Sequence, residues 1–269
     1  MLLQWFRLVT ALITGLLIVS PAAAADSRSA FGCDLPIRIA FAESGALYHQ
    51  GLGIDQDVIT EIAARTGCKF ETIVLPREQI WRQFNSGALD MTTGARQTAE
   101  RAKIAYFVPY IGLKTVIVAG TGVATQIRSF DDVLAHADWR IGIVSGFFYG
   151  AYYEYRLHGL REHYRIIVYP DQQKLYNGLQ HNDIQVILSQ SLNYAFYLPL
   201  DRDQQNFVMF DASPSPPAPY HLVFHRDRFT PTTIDAWTRV IEQMRLDGTL
   251  EKIYRRRVSA DMARFLLNF

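Results

Sequence analysis

The chain has 269 residues, 49% of them hydrophobic, with 27 Lys and Arg against 26 Asp and Glu. That length suits one large domain or two small ones. A formal net charge of +1 gives no mark of a nucleic-acid binder, and the one basic cluster, Arg255-Arg256-Arg257, follows a helical pattern and reads as a solvated helix end completing the dipole.

The chain opens with Arg7, an apolar stretch from Leu8 to Val19, and then Ser20-Pro21-Ala22-Ala23-Ala24-Ala25-Asp26. A charged start, a short apolar core and an Ala-x-Ala site predict a secretory signal peptide over 1–25, cleaved after Ala25. The apolar core falls short of the roughly 20 residues that span a bilayer, which argues against an anchor. Ala30-Phe31-Gly32 before Cys33 lacks the aliphatic residue expected ahead of a lipidated cysteine. A soluble mature chain from Asp26 to Phe269, located in the periplasm, is the expectation.

Two cysteines remain after cleavage, Cys33 and Cys68. An exported chain enters an oxidising compartment, where an even count favours a disulfide. Cys33 lies just before the apolar run Ile37 to Phe41 and Cys68 just before Phe70 to Leu75, so parallel neighbouring strands would begin side by side.

Strand-length apolar runs then alternate with helical patterns. Ile37 to Phe41 reads as a strand, followed by a helix capped by Asp55 with Val58, Ile59 and Ile62 on one face and Gly67 at its end. Phe70 to Leu75 is a strand, Glu78 to Ser86 a helix with Ile80, Trp81 and Phe84 inward, and Leu89 to Thr92 a strand. Together they form a βαβαβ unit. A second series runs from Trp139 to Val144, through a helix ending near Gly159, Tyr164 to Tyr169, a helix from Asp171, and Ile184 to Leu188. Two α/β lobes are implied.

Between the series lies Leu113 to Ala119, then Gly120-Thr121-Gly122; Phe207 to Phe210, the Pro-rich Ser213 to Pro219 and Tyr220 to Phe224 follow the second. These segments predict two crossings, hence a two-segment hinge, with lobe I over 26–118, lobe II over 119–207, and a return over 208–269. Thr125 occupies the third glycine position of a dinucleotide fingerprint, so Gly120-Thr121-Gly122 reads as hinge. The amphipathic pattern from Thr232 to Arg245, with Trp237, Val240, Ile241 and Met244, is expected to pack back on lobe I.

Gly53-Ile54-Asp55-Gln56-Asp57-Val58, Gly87-Ala88-Leu89-Asp90, Thr98-Ala99-Glu100-Arg101, Phe107-Val108-Pro109-Tyr110 and Asp247-Gly248-Thr249-Leu250 stand in register along the mature chain. In these segments the chain resembles bacterial extracellular solute-binding proteins of family 3. The resemblance implies a periplasmic binding protein-like fold serving an amino-acid ABC importer, with a permease as partner and a monomeric state. Function still has to come from the site.

The most informative segment is Gly94-Ala95-Arg96-Gln97-Thr98-Ala99-Glu100-Arg101, where a strand's carboxyl end leads to a helix N-capped by Thr98. Unpaired N–H groups there attract anions. Arg101 adds a planar fork that grips a carboxylate through two parallel bonds, the role the resemblance implies for it. The bland alternative pairs Arg101 with Glu100 or Asp90. Arg96 stands where relatives often carry a small hydroxyl residue, and is a second anion contact or a pocket-rim charge. Tyr48 and Trp81 stand near positions where the family stacks on its ligand; either is also a candidate for the core.

In the second lobe the chain departs from the family. Gly146 is followed by Phe147-Phe148-Tyr149, where relatives carry a Gly-Thr, and Gln190 stands where they place an aspartate that pairs with the ligand's ammonium. Either the ligand lacks an α-amine, or Asp171, Asp183 or Glu154 substitutes. The expected ligand is therefore a small carboxylate-bearing molecule, an amino acid or related organic acid.

Metal or cofactor chemistry is not expected. His158 and His163 are five residues apart, a poor zinc pair; His221 and His225 would share a strand face with no evident third ligand. No Gly-x-Ser-x-Gly elbow occurs. The enzyme alternative is a periplasmic lyase or dehydratase on a small carboxylic acid, with Glu43 or Glu78 as the acid beside Arg101. A third reading is a ligand sensor that presents its closed form to a separate receptor.

Overall fold

The computed structural model describes residues 28–161, 165–198 and 206–269. The signal-peptide segment 1–25 and its cleavage point lie outside the described residues. In the first part of the chain, β1 (Ile37–Phe41), α1 (Ile54–Thr66), β2 (Phe70–Val74), α2 (Arg77–Asn85) and β3 (Met91–Ala95) form the expected βαβαβ unit, followed by α3 (Ala99–Ile104) and β4 (Ala105–Leu113). β1 pairs in parallel with β2 from Ile37 opposite Phe70 to Phe41 opposite Val74. Cys33 and Cys68, just ahead of those starts, form a disulfide with Cα atoms 5.5 Å apart, within the range the bond requires.

The second part holds β5 (Thr115–Gly120), α4 (Thr121–Ala124), α5 (Phe130–Ala135), β6 (Ile141–Val144), α6 (Ala151–Arg161), β7 (Ile166–Tyr169), α7 (Gln172–Gln180), β8 (Val186–Gln190), α8 (Tyr194–Tyr197) and β9 (Phe207–Phe210). The chain closes with β10 (Ala218–His225), α9 (Pro231–Leu246), α10 (Thr249–Arg255) and α11 (Ala260–Phe265). The strands make two five-stranded sheets, ordered β2-β1-β3-β10-β4 and β7-β6-β8-β5-β9. Two α/β lobes result.

The two sheets share one plan. Three strands run parallel, the strand that has just arrived from the other lobe lies antiparallel beside them (β10 or β5), and the strand about to leave lies outermost (β4 or β9). β4 ends at Leu113 and β5 starts at Thr115, so the chain crosses at Lys114 and returns over residues 211–217. The expected hinge at Gly120-Thr121-Gly122 instead ends β5 and begins α4, and β9 belongs to the second sheet. An apolar run shows that a strand exists, and not which sheet receives it.

β3 starts and ends later than its apolar pattern suggested because β10 supplies an antiparallel partner as far as Ala95, opposite His221. Its residues are buried throughout. The amphipathic C-terminal helix is α9, N-capped by a Thr230 capping box with Pro231 in its first turn. Trp237, Val240, Ile241 and Met244 are buried in the first-lobe core with Phe224 and Phe229. The last residues then strap β4: a side chain at Gly112 would collide with the Asn268 carbonyl oxygen, and the Gly112 N–H donates to Leu266 O at 2.7 Å. Arg256 and Arg257 both reach Asp57, and Arg255 pairs with Glu251, so the basic cluster is tied to the first lobe's acids. Among the described residues no helix is long and apolar enough to cross a membrane.

Candidate functional site between the lobes

The floor of the cleft forms where β1 and β3 end and α2 begins, the sheet edge at which ligands enter open α/β folds. Pro76 leads into α2, and Arg77, its first residue, is only 4% exposed. Its Nη1 donates to Thr93 O at 2.9 Å and its Nη2 to Gly94 O at 3.3 Å, while Nε has no hydrogen-bond partner. Beside it Asp55 turns inward instead of capping α1, whose N-cap is Gly53. The Asp55 carboxylate accepts from the Thr93 hydroxyl at 2.6 Å and from the Tyr110 hydroxyl.

Burial pushes the Asp55 carboxyl up to about 6, against the opposing pull of the two hydroxyls and of Arg77. Burial also lowers the Arg77 guanidinium from its ordinary range, and Asp55 partly offsets this. A charged group taken out of water costs free energy unless paired. Among the described residues, no carboxylate is within ion-pair distance of Arg77, Arg96 or Arg101.

The second lobe meets this floor through the loop Ser145 to Gly150. Gly146 has φ +76°, and a Cβ there would lie 2.7 Å from the Glu78 backbone nitrogen, so only glycine lets the loop approach α2. The Ser145 hydroxyl donates to Glu78 Oε2 at 2.5 Å. Arg101 donates from Nη1 to Arg96 O at 3.0 Å and from Nη2 to Gly146 O at 2.8 Å, bridging the lobes. Its guanidinium lies 4.0 Å from the centre of the Trp81 ring; Arg77 stands 5.8 Å from the Phe147 ring and Arg96 5.4 Å from Phe148. Such cation–π contacts contribute modestly, more when desolvated. Burial, followed by the Arg77 charge, brings the Arg101 guanidinium down to about 10.

On the other side, the Gly45 N–H donates to the Tyr197 hydroxyl at 2.9 Å and Asn193 Nδ2 reaches Ser44 Oγ at 3.4 Å. Gln190 Oε1 accepts from Gln172 Nε2 at 3.0 Å and from Asn193 Nδ2 at 2.9 Å, all three side chains being buried. Between the lobes is a cavity of about 410 Å³. Val74, Leu75, Pro76 and Arg77 line it from the first lobe; Val144, Phe147, Pro170, Asp171 and Tyr197 line it from the second.

Of the residues expected at the site, Phe147 lines this cavity. Gly94 covers the Asp55 and Arg77 side chains. Arg101 and Trp81 share a separate shallow recess with Asn85, while Arg96 faces a smaller pocket with Lys114, Thr115 and Tyr149. Thr98 caps α3, its hydroxyl accepting from Arg101 N at 3.2 Å. Tyr48 is buried and stacked on Phe41 at 4.5 Å, a core position. Neither bland partner engages Arg101: Asp90 holds Arg38 and Glu100 holds Lys103. Of the two candidate acids, Glu43 pairs with His49 and Glu78 with Arg82.

The sequence did not single out Arg77 or Tyr197, and it gave Asp55 the role of a helix cap in place of a buried carboxylate of the cleft. For Arg77 a signal existed, since it directly follows Pro76 at the carboxyl end of a strand; beginning the helix at Glu78 assigned it to a loop.

The model of bacterial extracellular solute-binding proteins, family 3, matches residues 40–259. The chain belongs to that family. Among solved structures, this solute-binding protein is similar to an amino-acid ABC transporter substrate-binding protein from Streptococcus pneumoniae bound to L-arginine. That pair has TM-score 0.71 and 17% identity, covering 86% of this chain and 98% of the other. It is similar also to an ancestral amino-acid-binding protein described as a precursor of cyclohexadienyl dehydratase, with TM-score 0.68, 20% identity, and coverage of 86% and 98%. An arginine transport-system periplasmic binding protein from Legionella pneumophila gives TM-score 0.66, 18% identity, and coverage of 84% and 100%. At these identities the likeness establishes the two-lobe fold. No curated protein matches the chain at a significant level.

Proposed function

We propose that this solute-binding protein takes a small carboxylate-bearing ligand, an amino acid or related organic acid, into the cleft between its lobes and delivers it in the periplasm to an ABC importer permease. The observation that carries the reading is the desolvated Arg77, without a carboxylate partner among the described residues, on the floor of an interlobe cavity. Arg101 adds the second guanidinium. Its two donors rest on the carbonyls of Arg96 and Gly146, a pair of bonds that a ligand carboxylate can replace with a bidentate, charge-assisted pair. Similar structures bound to L-arginine support the ligand class.

Closure follows from where the contacts lie. A ligand favours the closed arrangement only by touching both lobes, and the cavity offers it Arg77 on one side and Phe147 and Tyr197 on the other. The hinge is assigned to Lys114 and residues 211–217, and the mature protein starts near Asp26 and acts as a monomer. Mass spectrometry of native periplasmic protein tests both points: the intact mass should begin near Asp26, and a small carboxylate should co-purify. A neutral or cationic ligand with no carboxylate would overturn the reading.

A further inference from the structure

We infer that the cleft selects a ring-bearing, amine-free organic acid, an aromatic or alicyclic monocarboxylate, over a zwitterionic amino acid; this rests on the carboxylate reading above. Apolar surface dominates the cavity. Val74 remains 44% exposed there despite its size, with Leu75, Pro76, Val144, Phe147 and Pro170 around it. Tyr197 is held as a wall by stacking on Tyr176 at 4.7 Å and by the bond its hydroxyl accepts from Gly45 N. Flat aromatic and proline faces of this kind suit a ring.

The polar groups complete the argument. Arg77 is the one buried charged side chain lining this cavity among the described residues, and it is a cation. On the carboxylate reading Arg77 and Arg101 serve the same carboxylate, which leaves a second one without a buried partner in the cavity. The two carboxylates that line the cavity, Glu43 and Asp171, are half-exposed and already engaged. Glu43 already holds His49 Nδ1 at 2.9 Å and Gln50 N at 3.1 Å, and Asp171 caps α7 through Lys174 N at 2.8 Å. The Gln190 carbonyl oxygen accepts two amide donors. Bringing an ammonium against the buried part of the cleft, beside Arg77, strips its water without a buried anion to compensate.

Calorimetry on the mature protein with 3-phenylpropanoate, L-phenylalanine, propanoate, L-arginine, L-glutamate and succinate tests this. L-phenylalanine differs from 3-phenylpropanoate by the ammonium alone, and propanoate by the ring. The expected result is that 3-phenylpropanoate binds at least tenfold tighter than either. Phe147→Ala should weaken that binding about tenfold, and Val74→Ser, at a half-exposed position, severalfold with unchanged melting. An amino acid or succinate binding as tightly as 3-phenylpropanoate overturns the inference and leaves the carboxylate reading standing. Binding of 3-phenylpropanoate unaltered in both variants also overturns it. If no carboxylate of the panel binds, the carboxylate reading itself falls, and this inference with it.

Discussion

The two lobes share a strand plan but differ in what they bury at equivalent places. β3 and β8 both occupy the third parallel position, and both carry buried polar residues. In the first lobe Thr93 meets a carboxylate and a guanidinium, those of Asp55 and Arg77. In the second, Ser189 and Gln190 meet only neutral partners: Tyr176, Gln172 and Asn193. The difference assigns the labour: the first lobe supplies the buried charge, and the second supplies shape and buried neutral hydrogen bonds, its Asp171 and Lys174 lining the cavity from partly or fully exposed positions.

The largest effect should come from the charged side. Removing one partner of a desolvated, hydrogen-bonded charge pair typically costs about 2 to 5 kcal/mol, so Arg101→Ala should weaken ligand binding by roughly thirtyfold to several thousandfold. Arg101→Lys should recover part of this, because a point charge keeps the attraction and loses the fork. Calorimetry reads both. Near-wild-type affinity in Arg101→Ala would leave Arg77 as the sole anion site.

The disulfide staples only the first lobe. Its loop spans 35 residues, and losing it should cost about 3 to 4 kcal/mol in the chain-entropy model. Chemical denaturation of a Cys33→Ser/Cys68→Ser variant, followed by Trp237 fluorescence in the first-lobe core, checks this.

Protonation of Asp55 should strengthen the first lobe. The Asp55 carboxyl is raised from 3.8 to about 6 in the folded protein, so between those values the folded state binds more protons than the unfolded one, and stability falls as pH rises. A shift of that size is worth about 3 kcal/mol. Between pH 7 and pH 4, the wild type should gain up to that amount relative to Asp55→Asn, measured by urea denaturation at each pH. An equal pH response in both proteins would show that Asp55 ionises normally.

The smallest effect belongs to the neutral lobe. Gln190→Ala leaves the buried Gln172 and Asn193 amides without their shared acceptor, a loss of about 1 to 3 kcal/mol in stability. Its effect on ligand affinity should be far below that of Arg101→Ala. Comparable losses of affinity would place ligand recognition on both lobes alike and erase the contrast.

Periodicity and cysteine placement were enough to foresee two α/β lobes, the Cys33 to Cys68 disulfide and the buried face of α9. They did not locate the crossing, because Leu113 to Ala119 reads as one strand-length segment while the change of sheet falls inside it, at Lys114. The site was half legible. The segment around Thr98 and Arg101 stood out as a cap followed by a cation, yet the partners of Arg101 come from Gly146, which no local pattern connects to it. Asp55 and Arg77 look like surface charges in a sequence; only the packing of β3, α2 and Tyr110 buries them.

The placement of β10 also sets an order of assembly. Every strand of the second sheet lies between Thr115 and Phe210, whereas the first sheet is completed by β10, which enters between β3 and β4 and brings His221 to Ala95 across 126 residues. Contacts at that separation form late, since a long loop must close before they are rewarded. The Leu266 strap on Gly112 comes later still along the chain. As a chain emerges N-terminus first, the second lobe is therefore the half equipped to fold first. The charged floor of the cleft, built on β3, must wait until the last residues have emerged.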